Sequence, residues 1–353
     1  MNLFRSVQAV ASASGDGAVD WTAVADAAKA ATDPGDVALT DDQRRGYATD
    51  VRDARDRVRR VASIDFDVPD AIEIQHRHHW VDANVDTFRR VLEPLEAQTM
   101  TAFPGVARTV NTGTMSVMLS FLAKNVLGQY DPLLLAGEDD PDHALYFVHP
   151  NIERVADDLD VETPRFRRWI AFHEVTHAAE FGAAPWLSGY LEDRVESGLE
   201  DLSAGGLSSQ EFQEMNAAMT VVEGYAELLM DHAFDDEYAD LRRKVDERRG
   251  GRGPVAKLAR RLLGLGLKRQ QYERGKAFFE HVTDARGLDV AGRVWEGPEN
   301  LPTTEELDEV VDGDGCQFGR LGIIDHLWSE AWGDYDGVIG STLASMLVHV
   351  CDL

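Results

Sequence analysis

Cysteine is nearly absent from this 353-residue sequence: Cys316 and Cys351 are the two, both close to the C-terminal end. That count excludes a disulfide framework and a cysteine-based zinc site. Long apolar runs are missing as well. No stretch approaches the roughly 20 residues that a bilayer span needs. The opening MNLFRSVQAVASASGDGAVDW carries one Arg and then alternates small and polar residues. It lacks the apolar centre of a secretory signal, so a cytoplasmic protein is expected. Lysine is scarce, with six residues against 29 arginines, and positive charge as a whole is outweighed. Asp and Glu number 63 against 35 Lys and Arg, a net charge of −28. A surface of that sign repels nucleic acid and anionic membrane, so neither is expected as a partner.

What the sequence does hold is carboxylate at high density. It could repel acidic substrates. The composition also resembles that of salt-in halophile proteins, in which carboxylates keep the chain hydrated and salt screens their repulsion. That bears on habitat rather than activity. The hydrophobic share of 44% supports a real core.

No internal repeat is present, and most segments show helical periodicity. DWTAVADAAKAA puts Trp21, Val24, Ala25 and Ala28 on one face, DVRDARDRVRRVA is charge-laced, and WVDANVDTFRRVLEPL is amphipathic. ALYFV (Ala144–Val148), closed by Pro150, is the best strand candidate. The cluster His76, His78 and His79 matches no zinc-ligand spacing, so it reads as a polar turn before a helix. The fold class expected is mainly α, with a small β element.

The informative stretch is HEVTHAAEFGAAPWL, His173 to Leu187. It lies in a helix whose ends are marked by Thr163 and Pro164 before it and Gly182 after it. Residues four apart on a helix sit about 40° apart around the axis and about 6 Å apart along it. His173 and His177 can therefore reach one ion, with Glu174 at the rim of their face. This is the His-Glu-x-x-His arrangement of two zinc ligands and a general base. The pattern arises by chance in roughly 2% of chains of this composition. The plainer alternative is a pair of histidines satisfied in a core helix, whose face also carries Phe166, Ile170 and Phe181.

Catalytic zinc needs a third protein ligand and an open position. The extended three-histidine motif fails, because Glu180 stands where it needs Gly and Ala183 where it needs His. A downstream helix, VVEGYAELLMD, offers Glu223 and Glu227 four apart on a largely apolar face. Buried carboxylates need partners. Ligation by one, and a hydrogen bond to a ligand histidine by the other, would supply them. A solvated acidic face is the alternative. Tyr225 and His232 fall on the far side of that helix and are not nominated.

These residues, with several blocks elsewhere, resemble a zincin-like metallohydrolase family associated with biosynthesis of the deazaflavin coenzyme. The matching blocks are DW at Asp20, WVDAN, VLGQYD, HPNI, FRRWIAFHEVTHAAEFGAAPWL, VVEGYAELLMD, QYERGKAFFE and VWEGPENLPT, spanning roughly residues 20–305. The resemblance implies a zincin-like metallopeptidase fold with the β element packed on the active-site helices. It implies Zn²⁺ held by His173, His177 and Glu223, Glu174 as base, and Glu227 as the carboxylate behind a ligand histidine. Tyr272 is a candidate for oxyanion stabilisation, with core packing beside Gly275, Lys276 and Phe279 as the alternative. The expected organisation is an N-terminal helical part over 1–98, a metal-site part over 99–310 and a tail over 311–353. The family pattern stops before that tail, which reads as an extension or a misread frame and is expected to pack poorly. The expected activity is zinc-dependent hydrolysis of peptide or other amide bonds, a coenzyme's polyglutamyl-type tail among them, with the ALYFV strand lining the cleft as an edge on which an extended peptide could lie. The alternative is a non-catalytic, zinc-stabilised partner or scaffold in coenzyme biosynthesis.

Overall fold

The computed structural model describes residues 2–62, 66, 69, 71–96, 104–131, 144–203, 210–234, 238–249 and 265–313. The tail from 314 onward lies outside them. The chain divides into two compact units. Among the described residues, one takes in those of Met1–Ala48 and Pro69–Ile170, and the other those of Thr49–Val68 and 171–313. As expected, the protein is mainly helical with one small sheet. No helix among the described residues is long and apolar enough to cross a membrane.

The first unit holds α1 (Leu3–Ala11), α2 (Trp21–Ala31), α4 (Arg77–Glu96), α5 (Pro104–Asn125) and α6 (His149–Leu159). It also holds strands β1 (Ala71–Gln75), β2 (Gly128–Asp131) and β3 (Ala144–Val148), and the starts of α3 (Asp41–Ala62) and α7 (Thr163–Ala183). Asp20 caps α2 by accepting from the Ala23 N–H at 2.9 Å. The charge-laced α3 carries a buried stripe of Tyr47, Val51, Ala54, Val58 and Ala62. Its charges thus occupy the remaining faces of an amphipathic helix.

ALYFV forms a strand, but its position corrects one expectation. Proposed as an edge on which an extended peptide could lie, β3 is the centre of the sheet, with order β1-β3-β2. β1 pairs with it in parallel and β2 antiparallel, so both of its sides are taken. The histidine cluster is also differently placed. Arg77 opens α4, and His76 Nδ1 accepts from the His79 N–H at 3.0 Å, so these side chains finish the helix start. His78 donates through Nε2 to the Thr32 carbonyl at 2.8 Å.

Three of the family-like blocks meet in this unit as a buried polar network. Trp80 Nε1 donates to Gln129 Oε1 at 2.8 Å, and Gln129 Nε2 donates to Asn84 Oδ1 at 3.0 Å. Asn151 donates to the carbonyls of Ala123 and Val126 and accepts from Arg77 Nε. WVDAN, VLGQYD and HPNI are therefore structural: each supplies a polar group that the others leave satisfied.

The second unit continues α3 and α7 and adds α8 (Leu187–Ser203), α9 (Gln210–Ala233), α10 (Ala239–Arg249) and α11 (Leu265–Arg286). The short α12 (Leu288–Ala291), 3₁₀ turns at Gly292–Glu296 and Pro298–Asn300, and α13 (Thr304–Gly313) follow. Gly182 does not end α7, which runs one residue beyond it. Its small size matters instead, since a Cβ there would stand 3.0 Å from Phe66 Cβ. α9 and α11 meet at a glycine pair. A Cβ on Gly224 would lie 2.2 Å from the Gly275 carbonyl carbon, and one on Gly275 would lie 2.1 Å from the Thr220 oxygen. The two backbones approach as closely as they do because neither residue has a side chain.

Candidate metal centre

From Ala171 to Phe181, α7 is buried on every side. A helix in that setting ordinarily carries apolar side chains alone. Here it carries His173 and Glu180 at 0% exposure, Glu174 at 1% and His177 at 5%. Facing them from α9 is Glu223, at 0%. Each of these groups needs a partner, because an uncompensated buried polar group costs roughly 1–3 kcal/mol and a charge more.

The partners of the two histidines fix their tautomers. His177 Nδ1 lies 2.8 Å from Glu180 Oε2. Held as a carboxylate beside a cation, Glu180 can only accept, which puts the proton on Nδ1 and the lone pair on Nε2. His173 Nδ1 lies 3.3 Å from the Met230 thioether sulfur, also an acceptor. Its lone pair too falls on Nε2. The two Nε2 atoms face each other at 3.2 Å. Two lone pairs at that separation call for a cation between them.

The donor set fits a metal. Two imidazole nitrogens at 2.0–2.1 Å from a tetrahedral ion stand about 3.3 Å apart, against 3.2 Å here. A carboxylate oxygen of Glu223 completes a group whose ligand atoms all lie within 4.8 Å of one another. Among the described residues it is the one group of three such side chains able to hold an ion. Two imidazoles and one carboxylate form a recognised zinc donor set, with room for a further ligand.

The surroundings are strongly acidic. Burial pushes the Glu180 carboxyl well above the usual carboxylate range, and the Glu223 charge adds to the effect. Burial likewise raises the Tyr225 phenol, with Glu180 and Asp289 contributing. Tyr225 packs edge-on against Phe279 and Trp295, closing the region behind Glu180 with apolar rings. Glu227, 5% exposed, pairs with Arg242 of α10. Arg242 also pairs with Asp231, which takes Lys276 Nζ at 2.9 Å.

The structure thus brings together His173, His177 and Glu223, keeps Glu174 in the same buried turn, and holds Glu227 one turn further along α9. The backbone of Tyr272 belongs to α11, but its side chain lies outside the described residues. Two side chains in contact with these histidines, Glu180 and Met230, were not among the residues the sequence singled out. Glu180 had counted only as a departure from the three-histidine motif, although its place three residues after His177 sets it on the same helical face. Met230 lies seven residues beyond Glu223, again on one face, among the apolar residues of VVEGYAELLMD.

The chain is similar to known proteins. A solved structure from Chloroflexus aurantiacus, described as "a putative hydrolase with a novel fold", shares 30% identity with a TM-score of 0.67, over 84% of this chain and 99% of that one. No curated protein matches the sequence. The sequence pattern of the zincin-like metallopeptidases matches residues 19–208 and 207–312. On that coverage the chain belongs to the zincin-like metallopeptidase family.

Proposed function

We propose that this chain is a zinc-dependent hydrolase of peptide or other amide bonds, with His173, His177 and Glu223 as the metal ligands. The observation that carries the reading is the 3.2 Å approach of two Nε2 atoms whose opposite ring nitrogens face the Glu180 carboxyl and the Met230 sulfur. Bound there, zinc supplies a Lewis acid that polarises a carbonyl and acidifies water. The chain's own residues do the rest. Glu174 accepts a proton from the attacking water at its carboxylate as the oxygen–carbon bond forms. It returns that proton to the leaving nitrogen as the carbon–nitrogen bond breaks. Glu180 holds His177 with its lone pair toward the ion, and Met230 does the same for His173. Glu227, tied to Arg242, supports the α9 turn that presents Glu223.

The near-complete burial of all three ligands favours a second reading, a zinc-stabilised partner without turnover. One experiment separates the two. A peptide-library digest by zinc-loaded protein in high salt is run beside Glu174→Gln, with a polyglutamyl substrate as a further arm. Cleavage by wild type, lost in a variant that still holds one zinc, supports the hydrolase. Zinc retention with no cleavage of any substrate supports the partner. Cleavage by both proteins removes Glu174 from its role.

A further inference from the structure

The described surface carries six large hydrophobic side chains in the open, and five of them fall on two adjacent helices of the first unit. Phe4 and Val7 of α1 are 77% and 61% exposed, and Val106, Val110 and Val117 of α5 are 65%, 60% and 72% exposed. The two helices touch where Val10 meets Gly113, at 3.3 Å from the position a Cβ would take. Along α5, Val106, Val110, Gly113, Val117, Phe121 and Lys124 follow spacings of four, three, four, four and three residues. At about 100° per residue they form one stripe down the 22-residue helix. The opposite face, through Thr112, Ser116, Leu119, Leu122 and Ala123, is buried against the unit. Seam-like spacing on a face already turned outward is the pattern of a helix that packs on another helix.

Charge identifies the other helix. The sequence from Ala97 to Tyr130 contains no Asp or Glu, and neither does Met1–Gly15. For 63 acidic residues in 353, a 34-residue stretch would ordinarily hold about six. The charges on these two helices are Arg5, Arg108 and Lys124, all positive. Over the acidic remainder of the described surface, two copies of a −28 chain repel as they approach. Here alone among the described helices an exposed apolar stripe coincides with a carboxylate-free, mildly basic surface.

We propose that the α1–α5 face is a self-association surface, on which a second copy of this chain docks its own α5 stripe. The contact is isologous, with Val110 and Val117 near its centre. Val10 of α1 packs at Gly113, and Phe4 and Val7 extend the apolar area at the rim. Salt strengthens the pairing, because it screens the long-range repulsion between copies while leaving apolar contact intact.

Sedimentation velocity on the full chain tests this between 0.1 and 2 M KCl over a range of protein concentrations. Wild type is expected to move from 39.1 kDa toward twice that mass as salt and concentration rise. Val110→Glu and Val117→Glu are expected to weaken association at least tenfold while keeping wild-type helical content, since both positions are exposed. Val290→Glu, at the sixth exposed site and on the other unit, is expected to leave the dimer intact. The inference fails if wild type stays at 39.1 kDa throughout. It fails equally if a dimer forms that Val110→Glu and Val117→Glu leave untouched. A chain that remains monomeric but co-floats with phosphatidylcholine vesicles overturns the second copy in favour of a lipid surface.

Discussion

Glu180 accepts a 2.8 Å hydrogen bond from His177 Nδ1 while itself wholly buried, with Glu223 as its charged neighbour. Such a carboxylate is costly in the absence of a cation and useful in its presence. It orients the imidazole and makes its Nε2 a stronger donor to the ion. Glu180→Gln keeps the shape and an acceptor oxygen but removes the charge. Zinc affinity is expected to fall about 10- to 100-fold. Stability without metal should hold or rise, because a poorly compensated buried charge has gone. Chelator competition and metal-free melting curves read the two effects. Unchanged zinc affinity would show that Glu180 serves packing alone.

The glycine crossing of α9 and α11 gives a second prediction. Gly224 follows Glu223 directly, so whatever shifts α9 there shifts a proposed ligand. A methyl group at Gly224 or Gly275 meets backbone atoms at 2.1–2.2 Å, and backbone cannot swing aside as a flexible side chain can. Gly224→Ala and Gly275→Ala should each destabilise the chain by about 1–3 kcal/mol or more. Either should also weaken zinc binding, although neither residue bears a ligand. Chemical denaturation and zinc titration check both. Gly189, where a Cβ meets nothing, is the control and should tolerate Ala with little change.

Metal loading itself should be visible as stability. Several carboxyl groups and two imidazoles are gathered in a region with almost no solvent. An ion that binds only the folded chain stabilises it by about 2.7 kcal/mol at a concentration 100-fold above its Kd. Adding zinc to chelator-treated protein should therefore raise its melting temperature. His177→Ala should abolish the rise, while Glu174→Gln should preserve it. A shift of equal size in His177→Ala would place the ion elsewhere.

The part of the site legible in the sequence was the part that is local. His173, Glu174 and His177 are set by helical spacing on one segment, and Glu223 with Glu227 by the same spacing on another. That the two segments meet followed from a need for a third ligand, not from any pattern in the residues. The role of Glu180 was hidden because its partner is chosen by ring orientation, which spacing does not report. ALYFV was readable as a strand from its apolar, aromatic content. Its central place depended on pairing with AIEIQ and GQYD, which are distant in the chain and short. The glycines at 224 and 275 gave no signal as a pair, since nothing in a single sequence marks which helices cross.

The buried cluster around His149 allows a pH prediction away from the metal site. His149 Nδ1 lies 2.9 Å from the Tyr47 hydroxyl and its Nε2 3.2 Å from Glu153 Oε1, with Arg167 stacked over the Tyr47 ring. Burial holds the imidazole below its ordinary value of 6.5, aided by Arg167 and opposed by Glu153 and Asp36. A depressed value in the folded state means that the unfolded chain binds the proton more readily. The contribution of neutral His149 to stability is thus complete above pH 6.5 and is lost as pH falls through the folded-state value. His149→Gln, which does not titrate, should be less stable than wild type at pH 7.5, and the gap should narrow at pH 5. Urea denaturation of both proteins at the two pH values measures that gap, and the comparison cancels titrations common to both. A gap independent of pH would mean that His149 contributes through packing and hydrogen bonding, and not through its charge state.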